Sequence, residues 1–234
     1  MLSIIIPTLN EEKYLSRLLE SIEKQSFSDY EVIVSDGGSS DQTISIAKKH
    51  NCRTIIDLKH HHPSWQRNNG AAKARGEILL FLDADTVLPS DFLSRSVSEI
   101  KSKNLVGAGF YIKFNPNKFS RRIFSTIFNF FCFGRQYFAP IGVGSALLTQ
   151  KQAHDQIGGF DCTIYVAEDF DYCYRLSRCG KFRMISSSFV YFSSRRLEKE
   201  GDMKVLFKWF VMGFFTLFNF RIKKKIVKYE FGKY

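Results

Sequence analysis

The stretch Glu77-Ile78-Leu79-Leu80-Phe81-Leu82-Asp83-Ala84-Asp85 decides the fold of this chain. The unbroken apolar run from Ile78 to Leu82 predicts a strand covered on both faces, as in a parallel sheet. It ends in two carboxylates one residue apart, at the carboxyl end of the strand, where open α/β sheets bind their ligands. If the strand extends through them, Asp83 and Asp85 share a face. Two acids so close repel each other, and a divalent cation that takes oxygen ligands, Mg²⁺ or Mn²⁺, is the natural neutraliser. Asp is also common in strand-to-helix turns, so the pair takes its meaning from its surroundings.

Outward from this stretch, strands and helices alternate. Ile4-Ile5-Ile6 predicts a first strand, broken by Pro7 and Asn10. Leu15, Leu18, Leu19 and Ile22 then recur at helical spacing within Glu11 to Gln25. Val32-Ile33-Val34 predicts a second strand, Asp36-Gly37-Gly38-Ser39-Ser40-Asp41 a turn, and Asp41 is a good N-cap for a helix from near Gln42. Arg53 to Ile56 predicts a third strand, Gln66 to Arg75 a helix and Glu77 to Leu82 the fourth strand. That order is a nucleotide-binding α/β half over residues 1–110.

Residues 111–200 are less regular and are expected to form an acceptor half. Phe119 to Phe133 mixes basic and aromatic residues, Gly142 and Gly144 interrupt an apolar run, and Gly158-Gly159-Phe160-Asp161 is a turn. A helix then opens with Glu168, Asp169 and Asp171, acids that the helix dipole favours there whatever their chemistry. Asp171 is placed to pair with Arg175 one turn on.

The 234 residues suffice for one good core and a small appendage. The net charge of +11 suits nucleic acid, an anionic membrane or a charged substrate. The aromatics lie in apolar runs rather than spaced among basic strands as a base-stacking platform, which argues against nucleic acid. The five cysteines show no Cys-x-x-Cys spacing and read as buried thiols of a reducing compartment. With no long apolar segment at the start, the amino-terminal part is expected to fold in the cytosol. His60-His61-His62 is expected to be loop, since consecutive residues do not easily converge on one ion.

Residues 201–234 are expected to form a basic and aromatic helical tail. Val205 to Phe220 would reach about 24 Å as a helix, short of the roughly 30 Å hydrocarbon core. With Arg221, Lys223, Lys224, Lys225 and Lys228 following, an amphipathic helix lying on an anionic membrane surface fits better. Phe119 to Phe133, with Arg121 and Arg122, reads as a second membrane contact. The alternatives for the tail are a core-packing helix or a homodimer face.

The motifs together resemble family 2 glycosyltransferases of the GT-A fold. In family order they are Ile4-Ile5-Ile6-Pro7-Thr8-Leu9-Asn10-Glu11, Val34 to Asp41, Asp83-Ala84-Asp85, Gly158-Gly159-Phe160-Asp161 and Glu168-Asp169, over about residues 2 to 180. Gln66 to Ala72 and Ser194-Arg195-Arg196 further resemble a small single-domain subgroup. Three departures stand out: Gly37 replaces the second acid of the usual Asp-Asp-Gly-Ser turn, Cys162 to Val166 lacks the frequent Pro or Glu, and no Gln-x-x-Arg-Trp motif follows, which argues against a processive synthase.

The resemblance implies a Rossmann-like mixed sheet flanked by helices and an inverting, metal-dependent transfer from a nucleotide-sugar, UDP-linked as the first choice. It implies that Pro7, Thr8 and Glu11 line the nucleotide pocket, that Asp36 accepts from the uracil imide, and that Arg67 steadies the base. Asp83 would sit near the ribose or share the metal, Asp85 would bind Mn²⁺ or Mg²⁺, and Asp169 would be the general base with Glu168 as helper. Arg195 and Arg196 would grip the diphosphate or an anionic acceptor. With the tail, this gives a peripheral enzyme at the cytoplasmic face of the membrane, acting on a glycan or lipid-linked acceptor. A scaffold that has lost catalysis and a nucleotidyltransferase are the competing readings. The complete set Asp36, Asp83, Asp85 and Asp169 speaks against the first, and the absence of a Gly-rich basic loop after the first strand against the second.

Overall fold

The computed structural model describes residues 1–114, 118–202 and 204–205. Its strands are β1 (Leu2–Thr8), β2 (Tyr30–Asp36), β3 (Arg53–Ile56), β4 (Ile78–Leu82), β5 (Gly107–Phe114), β6 (Ala146–Gln150) and β7 (Phe182–Phe192). Its helices are α1 (Leu15–Glu23), α2 (Thr43–Lys49), α3 (Pro63–Lys73), α4 (Phe92–Ser102), α5 (Phe119–Arg135), α6 (Lys151–Gln156), α7 (Glu168–Ser177) and α8 (Arg195–Glu200). The strands form one mixed sheet in the order β3-β2-β1-β4-β6-β5-β7. β1 to β4 run parallel, and β6 is antiparallel to both β4 and β5.

The central strand shows why its sequence is apolar throughout. Ile78, Leu80 and Leu82 face one core with Leu15, Leu18, Phe92 and Leu93 of α1 and α4. Leu79 and Phe81 face a second core with Ala71 of α3 and Tyr172 of α7. Phe81 is fully buried, edge-on to Phe160 at 5.1 Å and to Tyr172 at 6.0 Å. Removing that ring leaves a cavity that a close-packed interior cannot collapse, so Phe81→Ala is expected to cost about 3–5 kcal/mol. Chemical denaturation followed by circular dichroism measures it, and a change below about 1 kcal/mol would contradict the packing described.

Helix starts differ from expectation for local reasons. α3 begins at Pro63, earlier than Gln66, because the ring of His62 accepts from the Ser64 N–H at 3.3 Å and Pro63 is preset for the first turn. The three histidines bond separate partners: His60 the Asp57 carboxylate, His61 the Gly37 carbonyl and His62 the Tyr165 carbonyl. α1 begins at Leu15 rather than Glu11, since the chain first makes an irregular turn in which the Tyr14 and Leu15 N–H groups both donate to the Glu11 carbonyl at 3.0 Å. Asp41 sits one residue before the Gln42 cap position, and its carboxylate accepts from the Thr43 N–H at 3.0 Å.

The tail expected over residues 201–234 falls almost entirely outside the described residues. Among the described residues no helix is long and apolar enough to cross a membrane.

Candidate active site

The sheet delivers its functional side chains to one edge. β1 ends at Thr8, β2 at Asp36 and β4 at Leu82, so the loops after three parallel strands open on the same side. Thr8 pairs with Asp36 in the ladder, and its hydroxyl donates to Asp36 Oδ2 at 2.8 Å. Asp36 is fully buried, and both of its oxygens are occupied. Oδ1 accepts from the N–H groups of Gly38 and Ser39, and Oδ2 from the hydroxyls of Thr8 and Ser39. That uses about four lone-pair sites, the capacity of a carboxylate. The expected contact with a base imide therefore requires one of those hydroxyls to let go.

Asp83 and Asp85 do not share a strand face as expected. β4 stops at Leu82, and the chain turns at once, with the Thr86 N–H donating to the Asp83 carbonyl at 3.1 Å. The turn sends each acid to its own arginine.

Arg67, on α3, joins two of the expected site residues. Nη2 reaches Asp83 Oδ1 at 2.8 Å and Nη1 reaches Glu168 Oε1 at 2.9 Å. Its side chain is only 3% exposed, and both of its Nη atoms are turned to carboxylates. Arg195, at the start of α8, does the same for Glu11 and Asp85. Nη1 and Nη2 meet the two Glu11 oxygens at 2.7 and 3.0 Å, and Nε meets Asp85 Oδ2 at 3.0 Å. The guanidinium lies 4.9 Å from the ring centre of Tyr14. Burial holds the carboxyls of Glu11 and Asp85 above their usual range, against the pull of Arg195. The Arg196 side chain lies outside the described residues.

Asp169 stands in the first turn of α7, just after Ala167, which turns the chain with φ 64°. Its Oδ2 accepts the Gly144 N–H at 2.7 Å and its Oδ1 the Phe170 N–H at 2.9 Å. Burial, then the neighbouring Glu168, push its pKa up to about 7, while Arg67 and the two N–H groups act in the other direction. A carboxylate titrating there is suited to taking a proton at neutral pH.

Three contributors escaped the sequence reading. Gly144 supplies a backbone N–H, and a Cβ there would stand 2.6 Å from Arg67 Nη2, so a larger residue would push the guanidinium from its place between the acids. Gln66 is buried beside Gly37, where an added Cβ would lie 2.1 Å from its Nε2. The acid usual at position 37 would have to displace the Gln66 amide. Among the described residues Gln66 Nε2 itself has no hydrogen-bond partner. Tyr14 is the third, and only its distance to Arg195 reveals it.

Among the described residues no group of three or more His, Cys, Asp and Glu is gathered to hold a metal. Two pairs of acids each converge on a cation, Glu11 and Asp85 on Arg195 and Asp83 and Glu168 on Arg67. Their donors are hard carboxylate oxygens, the chemistry that suits Mg²⁺ or Mn²⁺.

A mixed sheet carrying acids and arginines beyond the carboxyl ends of β1, β2 and β4 defines a GT-A α/β fold. Residues 3–160 match the profile of Glycosyl transferase family 2, and the chain belongs to that family. It is 40% identical over 99 residues to the GalNAc(5)-diNAcBac-PP-undecaprenol beta-1,3-glucosyltransferase of Campylobacter jejuni, covering 40% of this chain and 32% of that one. Its fold resembles Staphylococcus aureus TarS 1-349 in complex with UDP, at TM-score 0.62 and 22% identity over 82% of this chain and 60% of that one. It also resembles the mannosyltransferase PcManGT from Pyrobaculum calidifontis in complex with GDP-Man and Mn²⁺, at TM-score 0.66 and 20% identity over 78% and 53%. The matches thus span about a third of the curated relative's length and somewhat over half of each solved chain.

Proposed function

We propose that the protein transfers a sugar from a UDP-sugar to an acceptor hydroxyl with inversion at the anomeric carbon. The observation that carries this reading is the gathering of Glu11, Asp83, Asp85, Glu168 and Asp169 around two arginines at the ligand edge of a family 2 sheet. Asp169 removes the acceptor proton as the hydroxyl oxygen attacks the anomeric carbon. The bond from that carbon to the diphosphate breaks on the opposite side, and UDP leaves with the electron pair. Arg67 holds Glu168 in place beside the base, through its ion pair at 2.9 Å. Thr8, Asp36 and Pro7 form the floor beneath the nucleotide.

Asp85, with Asp83 beside it, would hold a Mn²⁺ or Mg²⁺ ion, which when bound supplies positive charge to the departing diphosphate. Arg195 must then release Asp85, and the freed guanidinium becomes available to the diphosphate oxygens, with Arg196 next to it in sequence. Arg195→Ala is accordingly expected to bind Mn²⁺ without nucleotide on the order of tenfold more tightly than the wild type, and UDP less tightly. Mn²⁺ titration followed by electron paramagnetic resonance reads the first effect, and an unchanged Mn²⁺ affinity would contradict the exchange.

A lipid-linked acceptor is the preferred substrate class. The Campylobacter relative carries an undecaprenol-linked acceptor in its name, and the basic, aromatic tail suits a peripheral position at the cytoplasmic membrane face. The test is incubation with UDP-sugars and a polyprenyl-diphosphate-linked saccharide, following UDP release and the anomeric configuration of the product by NMR. A β-linked product from an α-linked donor is expected. A retained configuration, or UDP release that ignores the acceptor, would overturn the reading.

A further inference from the structure

The outer face of α5 has no partner among the described residues. Its inner face is fixed: Asn129 exchanges two hydrogen bonds with the Ile112 backbone, and Phe124 and Phe128 pack on the main core. Arg121, expected at lipid headgroups, is 1% exposed and paired with Glu198 and Asp202 at 3.2 and 3.1 Å, so it ties α5 to α8 instead. The opposite face carries Phe119, Ile123, Ile127 and Phe130 at helical spacing, and Tyr137 and Phe138 continue it past the helix end. Phe119 is 80% exposed, Phe130 77% and Phe138 69%. A contiguous exposed apolar face of this kind marks an interaction site.

Charge says what covers it. Exposed Lys118 and Arg122 stand at the amino end of the stripe, and the chain contains no Asp or Glu from Ile100 to His154. A second copy meeting α5 through this face would bring no acid to those cations. An anionic lipid headgroup layer does, with acyl chains beneath it for the aromatics.

We infer that the outer face of α5 is a docking surface for an anionic lipid bilayer. The inference rests on the lipid-linked acceptor proposed above and gives it a geometry. The loop leaving α5 passes from exposed Phe138 to Gly144, whose N–H holds Asp169. Six residues span at most about 20 Å. The bilayer surface is thereby kept within that distance of the group that takes the acceptor proton, on the side from which a lipid-anchored hydroxyl arrives.

The test compares the full chain with its Phe119→Asp and Phe130→Asp double variant, by sedimentation with phosphatidylcholine vesicles with and without phosphatidylglycerol. The wild type is expected to bind the anionic vesicles, and the variant to lose at least about tenfold in partition. Because the replaced rings are exposed, UDP titration of the variant should match the wild type. A separate Phe130→Trp variant, in vesicles of brominated lipid, should show quenching beyond that of Trp65 and Trp209. Vesicle binding unchanged by the double variant, or no added quenching at position 130, overturns the inference. So does a wild-type dimer that the double variant converts to monomer with no effect on vesicles. Failure of the transferase reading is seen separately, as absent UDP binding in a wild type that still sediments with lipid.

Discussion

Replacing Asp169 by Asn is expected to lower turnover by a factor of about 10²–10⁴, the usual worth of a positioned general base, with UDP affinity unchanged. The amide keeps the shape and still accepts from the Gly144 N–H, so the nucleotide side of the site is undisturbed. What it lacks is a site for the acceptor proton. The pH profile carries a second signature. With Asp169 raised to about 7, the rate should climb with pH through that value and level off above it, where the carboxylate is ionised. The linked stability change has the opposite sense. A folded-state pKa above the unfolded one means the native state holds its proton more tightly. The stability from that proton is full below the ordinary aspartate range and is lost as pH rises through about 7. Asp169→Asn should abolish that loss, so the variant gains on the wild type above neutrality. Steady-state rates and thermal melts across pH measure both. A variant with wild-type turnover would remove Asp169 from the chemistry.

Arg67 carries the second large effect, on stability and chemistry together. Its guanidinium is buried between Asp83 and Glu168, and truncation to Ala leaves both without their partner. Breaking the buried pair with Glu168 costs about 3–5 kcal/mol, while Asp83, 37% exposed, regains water and adds little to that. Arg67→Lys should recover only part of this, because one ammonium cannot present the fork that meets two carboxylates in different directions. Arg67→Gln tests the electrostatic coupling. Arg67 opposes the upward shift of Asp169, so its neutralisation should move the rising limb of the pH profile to higher pH. Denaturation midpoints and the pH profile are the measurements. A limb that stays in place would mean that Arg67 supports the fold without acting on the base.

The sheet was legible because its determinants are local. Ile78 to Leu82 announces a doubly covered strand, and the turn after Val34 needs the small residues it contains. Asp83, Asp85 and Asp169 were reached through spacing and resemblance. The partners of these acids were not, for a physical reason. Arg67 meets Glu168 across 101 residues and Arg195 meets Glu11 across 184, and no short-range pattern encodes such pairs. Gly144 acts through a backbone N–H that every residue but proline possesses, so only the crowding against Arg67 marks it. Arg121 misled for the same reason. In sequence it sits among phenylalanines like a membrane anchor, yet its position on α5 faces the acids of the α8 segment. The expectation that Asp83 and Asp85 share a face failed because it assumed an extended backbone where the chain turns.

Calorimetric titration of UDP and GDP into the full chain, with and without Mn²⁺ and repeated on Asp85→Ala, tests the central claim most directly. Mn²⁺-dependent binding of UDP, tighter than that of GDP and absent in the variant, is expected. A folded wild-type protein that binds neither nucleotide, with or without Mn²⁺, would contradict it.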